Sequence, residues 1–140
     1  MGKSISGFLP FVPPTVTHNS LEPYTVNRGG KVVARIRKSD KLKAAEDMMR
    51  PYVERLARGK DHLPLRGAVR ETVKVCWPCG DAHEQGEPRI DPPDLDNWIK
   101  TFNDLCEQAD IITCDAHVVD EHLSKAWADP AGVYVRFEEI

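Results

Sequence analysis

The amino-acid sequence predicts one α+β domain, in which a small mixed β-sheet packs against two main helices. Two segments carry apolar residues at helical spacing, and several others alternate between apolar and polar residues as half-buried strands do. At 140 residues, with 41% hydrophobic and 29% charged residues, the chain can bury one ordinary core. No internal repeat or boundary divides it, so we expect residues 1–140 to form a single domain.

The first half of the chain predicts a hairpin and then a helix. β-prone stretches flank Gly29 and Gly30, which predicts a hairpin over residues 24–37, because glycine readily adopts the positive φ of a tight turn. Ser39 is suited to cap a helix over residues 40–58. Pro51 lies inside that span, so a kink and a division into two helices both stay open.

The second half predicts three strands and the clearest helix. Alternating residues predict strands over residues 68–77, 118–127 and 132–139. Residues 78–93 are rich in proline, glycine and charge, which predicts a long loop. An apolar stripe at helical spacing then predicts a helix over residues 94–108.

Charge is distributed unevenly along the chain. The net charge is -3, yet residues 1–74 hold 15 of the 19 basic and only 7 of the 22 acidic residues, a balance of +8. A basic half suits phosphate contact and an acidic half suits divalent cations, although charge blocks are as often simply solvated faces. The predicted DNA-binding residues lie in and just after the hairpin: Arg28, Lys31, Arg35, Arg37, Lys38, Lys41 and Lys43.

Acidic residues cluster around the start of the helix predicted at residues 94–108. Asp94 and Asp96 converge only if Asp94 lies outside the helix, which the preceding Pro92-Pro93 favours. Asp115 would join them from a neighbouring strand, and such a cluster suits Mg²⁺. A purely structural alternative makes Asp94 an N-cap, pairs Asp96 with Lys100 and leaves Asp115 in a turn.

The motif Asp94-Leu-Asp-Asn-Trp-Ile-Lys100, followed by Asp115-Ala-His-Val-Val-Asp120, resembles the signature of the RusA-type Holliday-junction resolvases. That signature is Asp-x-Asp-Asn-x-x-Lys followed by Asp-x-Gln-Val. Pro13-Pro14-Thr15 resembles the family's N-terminal Pro-Pro-Ser, and Lys125 stands where family members often carry lysine. The chain departs from the pattern at Cys114, often acidic in relatives, and at His117, usually glutamine.

The resemblance implies a RusA-like fold and a metal-dependent endodeoxyribonuclease. It implies that Asp94, Asp96 and Asp115 bind Mg²⁺ or Mn²⁺ and that Lys100 is the catalytic lysine. The expected substrate is branched DNA such as a four-way junction, cut to 5′-phosphate and 3′-hydroxyl ends in recombination and repair. A homodimer without membrane association is expected, in the cytoplasm of a bacterial or phage-infected cell.

Two alternatives stay open. Cys76, Cys79 and His83, with Cys106 or Cys114, have the elements of a zinc site, and this would make the chain a zinc-stabilised DNA-binding module without catalysis. Alternatively, a nuclease of the same fold would act on flaps or replication forks.

Overall fold

The computed structural model describes residues 2–17 and 19–140 and confirms the α+β class, with two helices, a five-stranded mixed sheet and a separate two-stranded sheet. The helices are α1 (Asp40–Ala57) and α2 (Leu95–Gln108), and a short 3₁₀ turn covers Asp115–His117. The strands are β1 (Ser4–Leu9), β2 (Leu21–Arg28), β3 (Lys31–Lys38), β4 (Val69–Trp77), β5 (Glu87–Pro88), β6 (Val118–Trp127) and β7 (Gly132–Glu139).

The five-stranded sheet has the order β1-β7-β4-β6-β5. Strands β4 and β6 run parallel, and the other neighbouring pairs are antiparallel. The sequence pattern does not predict β1 or the short β5. Strand β1 forms by pairing with β7 at the far end of the chain, which no local pattern reports.

Capping interactions account for the start of α1 and the end of α2. The Ser39 side chain accepts a hydrogen bond from the Leu42 backbone N–H at 3.1 Å, which satisfies a free donor at the start of α1. Helix α1 continues through Pro51, so it does not divide into two helices. After α2, Asp110 adopts a positive φ of 59° and the Ile111 N–H returns to the Cys106 carbonyl, which ends the helix.

The core lies between the two helices and one face of the five-stranded sheet. Along β4, alternate residues such as Val69, Val73 and Val75 are fully buried against the helices. From α2, Trp98 and Phe102 stack at 5.3 Å between ring centroids and fill the space beneath the helix. The opposite face of the sheet carries charged side chains such as Arg70, Asp120 and Glu138, which pair with one another. The sheet therefore anchors α2 from one side, and this is the helix that carries the candidate site.

The β2–β3 hairpin forms the second sheet and pairs only with itself. Val32 and Ile36 on this hairpin are each 71% exposed. At its base, Ser20 and Ser39 are joined by a side-chain hydrogen bond, and Lys38 pairs with Glu46 of α1 at 2.8 Å. The hairpin is thus an arm attached to the domain through the start of α1.

Within the described ranges, neither helix is both long and apolar enough to cross a bilayer.

Candidate active site

Pro13 and Pro14 are held beside α2 by hydrogen bonds from two residues far along the chain. The Trp77 and Trp98 indole N–H groups donate to the carbonyls of Pro13 and Pro14, at 2.8 and 3.1 Å. The conformation that brings Pro13-Pro14 to the start of α2 therefore depends on two buried indoles, which give this N-terminal motif a structural role.

Lys125 of β6 fixes the segment immediately before α2. Its Nζ donates to the carbonyls of Asp91 and Pro93, both at 2.8 Å. A lysine ammonium has three donors, so one side chain can satisfy two backbone acceptors that no strand or helix engages. Lys125 therefore positions the chain immediately before Asp94.

A solvent-accessible pocket of about 310 Å³ lies beside α2. It brings together Asp96 and Lys100, one helical turn apart, and Asp115 from the 3₁₀ turn. The remaining lining residues are Asn97, Ile99, Asn103 and Glu121. Three of the four sequence-predicted catalytic residues thus share one pocket, and all three are exposed.

Asp94 lies at the N-cap of α2 and is not among the residues that line the pocket. Its backbone is extended, with φ of -66° and ψ of 140°, so it lies outside the helix as the argument from Pro92-Pro93 requires. Its side chain makes no capping hydrogen bond. In the described part of the chain, Asp96 and Lys100 form no ion pair with each other. Of the purely structural alternative, the structure has Asp94 at the N-cap and Asp115 in a short turn, but it does not have the Asp96–Lys100 pair.

A β-bulge in β6 determines which carboxylate faces the pocket. Val69 pairs with Val118 and Arg70 with Asp120, which leaves Val119 as an extra residue. Asp120 consequently lies on the open face of the sheet, where it accepts a 2.7 Å hydrogen bond from Arg70 Nε, and this ion pair lowers its pKa. Glu121 faces the pocket instead.

Sequence reasoning missed Glu121, although the strand carries a signal for it. Counting alternate residues backwards from Trp127 through Lys125 and Leu123 reaches Glu121. The same count of alternate residues forwards from Val118 places Asp120 on the pocket face, because it does not allow for the extra residue in the bulge. A single extra residue reverses the faces of a strand, so the forward count gives the wrong carboxylate.

Glu71 lies under the pocket and was also missed. It occupies the helix-facing side of β4 between Val69 and Val73, and its exposure is 0%. It accepts a 2.8 Å hydrogen bond from Asn103 Nδ2. Burial raises the pKa of Glu71 to about 8, an effect that the hydrogen bond from Asn103 opposes and nearby Glu121 reinforces. The sequence signal is a lone glutamate in the apolar register of a strand.

Further acidic groups surround Asp115. The ligand atoms of Glu107, Cys114 and Asp115 all lie within 4.8 Å of one another, a group that includes neither Asp94 nor Asp96. Burial raises the pKa of Asp104 on α2, Lys38 lowers it and Asp115 raises it. Lys38 at the base of the arm and Asp115 in the pocket therefore both lie within electrostatic range of Asp104.

The seven basic residues predicted to contact DNA are all exposed. Arg37 pairs with Glu22 at 2.9 Å and Lys38 with Glu46, so part of their charge is already neutralised. Among the described residues, Arg28, Lys31 and Arg35 form no ion pair. The arm therefore presents uncompensated positive charge at Arg28, Lys31 and Arg35.

The cysteines and His83 have other partners. His83 hydrogen-bonds to Glu87 and stacks on Trp127, while Cys79 donates to Gln85. Within the described residues, Cys76, Cys79 and His83 do not form a group whose ligand atoms all lie within 4.8 Å. The structure therefore gives the zinc alternative no support.

The lining of the pocket fits a hard divalent cation. Its carboxylates, from Asp96, Asp115 and Glu121, and the side-chain amide of Asn97 supply the oxygen ligands that Mg²⁺ and Mn²⁺ prefer. Several exposed carboxylates in one pocket also repel each other unless a cation is present. The chemistry of the donor set is thus that of a divalent-metal site.

Comparison with known proteins gives one family. No curated protein matches the chain. The family model described as "Endodeoxyribonuclease RusA" matches residues 12–138, which is nearly the whole chain and includes the arm, both helices and the pocket. The chain therefore belongs to the RusA endodeoxyribonuclease family.

Proposed function

We propose that this chain is a metal-dependent endodeoxyribonuclease that resolves four-way DNA junctions in recombination and repair, in the cytoplasm. The observation that carries the proposal is the shared pocket of Asp96, Lys100 and Asp115, which come from two separate segments. Family membership supports the substrate, since RusA proteins act on branched DNA.

Asp96 and Asp115 would hold a Mg²⁺ or Mn²⁺ ion, and Asp94, whose side chain caps nothing, would complete the carboxylate set. When bound, such an ion would neutralise charge on the phosphate and lower the pKa of water. The family resemblance implies that the products carry 5′-phosphate and 3′-hydroxyl ends. Without an ion these carboxylates would repel a phosphodiester, so we expect cleavage to require the ion.

Lys100 supplies the positive charge that the chain itself brings to the pocket. It follows Asp96 by one helical turn, so both side chains lie on the same face of α2. Its ammonium group would donate to a phosphate oxygen on which negative charge develops during cleavage. Lys100 is exposed and makes no contribution to the core.

The basic arm and the start of α1 would hold the DNA backbone. Phosphate contacts of this kind fix orientation and carry little sequence information. Asp104 is influenced by both Lys38 and Asp115, so DNA bound along the arm would pass close to the pocket.

The decisive experiment compares cleavage of a four-way junction, a replication fork, a flap and a linear duplex in Mg²⁺. We expect the junction to be cut fastest, and Asp96→Asn to bind it nearly normally without cutting. Asp81→Asn, which removes a carboxylate from an exposed loop, is the matched control and should cut normally. Cleavage by Asp96→Asn at the wild-type rate would reject the site, and preference for the fork or flap would reject junction resolution.

We further propose that the active form is a homodimer, because resolution needs paired cuts and a two-fold assembly supplies two equivalent sites. Mixed dimers of wild-type and Asp96→Asn chains test this. They should nick junctions in one strand, whereas wild-type dimers release resolved duplexes. Full resolution by mixed dimers at the wild-type rate would contradict it.

A further inference from the structure

Glu71 and Asn103 form a buried polar link between the sheet and α2. Glu71 has 0% exposure and Asn103 has 6%, and Asn103 Nδ2 donates to Glu71 Oε1 at 2.8 Å. Asn103 also lines the pocket, so this link lies between the centre of the sheet and the candidate site. Polar groups this deeply buried are normally fully hydrogen-bonded.

The remaining oxygen of each side chain has no partner. Glu71 Oε2 and Asn103 Oδ1 are both buried and accept no hydrogen bond. An ionised carboxylate cannot relieve this, since both atoms are then acceptors only. A single proton on Glu71 Oε2 supplies the missing donor, and Asn103 Oδ1 is the unused acceptor of the side chain already bonded to it.

We propose that Glu71 and Asn103 form a neutral acid–amide pair, joined by two hydrogen bonds, that positions α2 and its pocket residues against the sheet. The positioning role rests on the proposed nuclease function, whereas the neutral state of the pair does not.

The location of the pair explains how it acts on the site. Asn103 lies one turn beyond Lys100 and two turns beyond Asp96, so all three share one face of α2. Fixing Asn103 fixes the rotation of the helix about its axis. A rotation that moves these side chains by about 1 Å is enough to lower a catalytic rate roughly 100-fold.

The surroundings of Glu71 favour its neutral form. Its neighbour on β6 is Glu121, its neighbour on β7 is the apolar Phe137, and Cys106 of α2 interacts with it electrostatically. Among the residues that the structure describes, no basic group contributes to the pKa of Glu71, which burial raises to about 8. The neutral acid also adds no negative charge beneath Asp96 and Asp115.

Infrared difference spectroscopy tests the neutral pair without reference to activity. The wild-type protein at pH 7 should show the C=O stretching band of a buried carboxylic acid, absent from Glu71→Gln. Glutamine retains both hydrogen bonds, because its amide N–H replaces the acid O–H. If wild-type protein at pH 7 lacks the band, Glu71 is ionised and the proposal is overturned.

Steady-state cleavage of a four-way junction tests the positioning role. Glu71→Gln should keep wild-type kcat, whereas Asn103→Leu should lower kcat roughly 10- to 100-fold with little change in KM. The double variant Glu71→Leu/Asn103→Leu is the control for misfolding of the single variant. Replacing both partners of a buried hydrogen bond by apolar groups is nearly neutral for stability, so this variant should fold. Its kcat should fall as in Asn103→Leu.

Wild-type kcat in the folded double variant would overturn the positioning role. If instead the wild-type protein cleaved no branched DNA while the infrared band was present, the proposed function would fail and the neutral pair would stand. The two failures are therefore distinguishable.

Discussion

Glu71 of β4 and Glu121 of β6 are register partners in a parallel strand pair, yet one is buried and the other is exposed in the pocket. Two carboxylates in this arrangement repel each other if both are ionised. Burial of Glu71 reduces this repulsion, because it raises the pKa of Glu71 and so favours its neutral form. Glu121 remains in contact with solvent.

Protein stability should therefore depend on the protonation of Glu71. The pKa of Glu71 is about 8 in the folded protein and 4.5 in an ordinary solvent-exposed glutamate, so between these pH values unfolding releases a proton from Glu71. The stability associated with this group is complete below pH 4.5 and is lost as the pH rises towards 8, at on the order of 1.4 kcal/mol per pH unit.

Urea unfolding at pH 5.5 and pH 8 measures this effect, with Glu71→Gln as the reference because it cannot titrate. We expect the free energy of unfolding of Glu71→Gln, relative to wild type, to rise between the two pH values. A pH-independent difference would contradict the raised pKa.

Divalent ions should stabilise the folded protein. An ion that binds only the folded state at a concentration of roughly 100 times its Kd adds about 2.7 kcal/mol. We expect Mg²⁺ or Mn²⁺ to raise the Tm of wild type and of Asp81→Asn, measured by calorimetry. Asp115→Asn should lose most of this increase, because it removes a carboxylate from the pocket. An equal increase in Asp115→Asn would exclude Asp115 as a ligand.

The basic arm should determine how strongly DNA binding depends on salt. Lys31→Gln and Arg35→Gln should each reduce the slope of log affinity against log salt by about 1, since each removes one phosphate contact. Arg37→Gln should change it less, because Arg37 is already paired with Glu22. Fluorescence anisotropy with a labelled junction measures the slopes, and equal slopes for all three variants would exclude specific phosphate contacts by the arm.

Removing the Lys100 ammonium group should strongly reduce cleavage and leave the fold unchanged. Because Lys100 is exposed, the free energy of unfolding of Lys100→Ala should lie within about 0.5 kcal/mol of the wild-type value. Its cleavage rate should fall by roughly 100-fold or more, as expected when a donor to developing negative charge is lost. Lys74→Ala, which removes an exposed lysine on β4, is the control and should cut at the wild-type rate. Normal cutting by Lys100→Ala would remove this residue from the mechanism.

Local patterns predicted most of the regular elements. The hairpin, both helices and strands β4, β6 and β7 lie within three residues of the predicted bounds, because turn glycines, capping residues and alternating apolar residues are local signals. Strand β1 could not be predicted in this way, since its regular structure depends on β7 at the opposite end of the chain.

The site was predicted less completely than the fold. The motif located Asp96, Lys100 and Asp115, which share the pocket. Glu121 and Glu71 depend on a bulge and on tertiary burial, which arise only when strands pair and the helix covers them. Whether Asp94 completes the ligand set stays a prediction.

The bulge in β6 has a consequence for protein engineering. Val119 is 62% exposed and lies outside the pocket, but it adds the extra length that bends β6 just after the turn bearing Asp115. Deleting Val119 would leave every residue of the pocket in the chain and preserve the pairing from Asp120 onwards. It would nevertheless straighten the strand and redirect Asp115, so the spacing of the acidic groups can be adjusted by changing the length of the backbone alone.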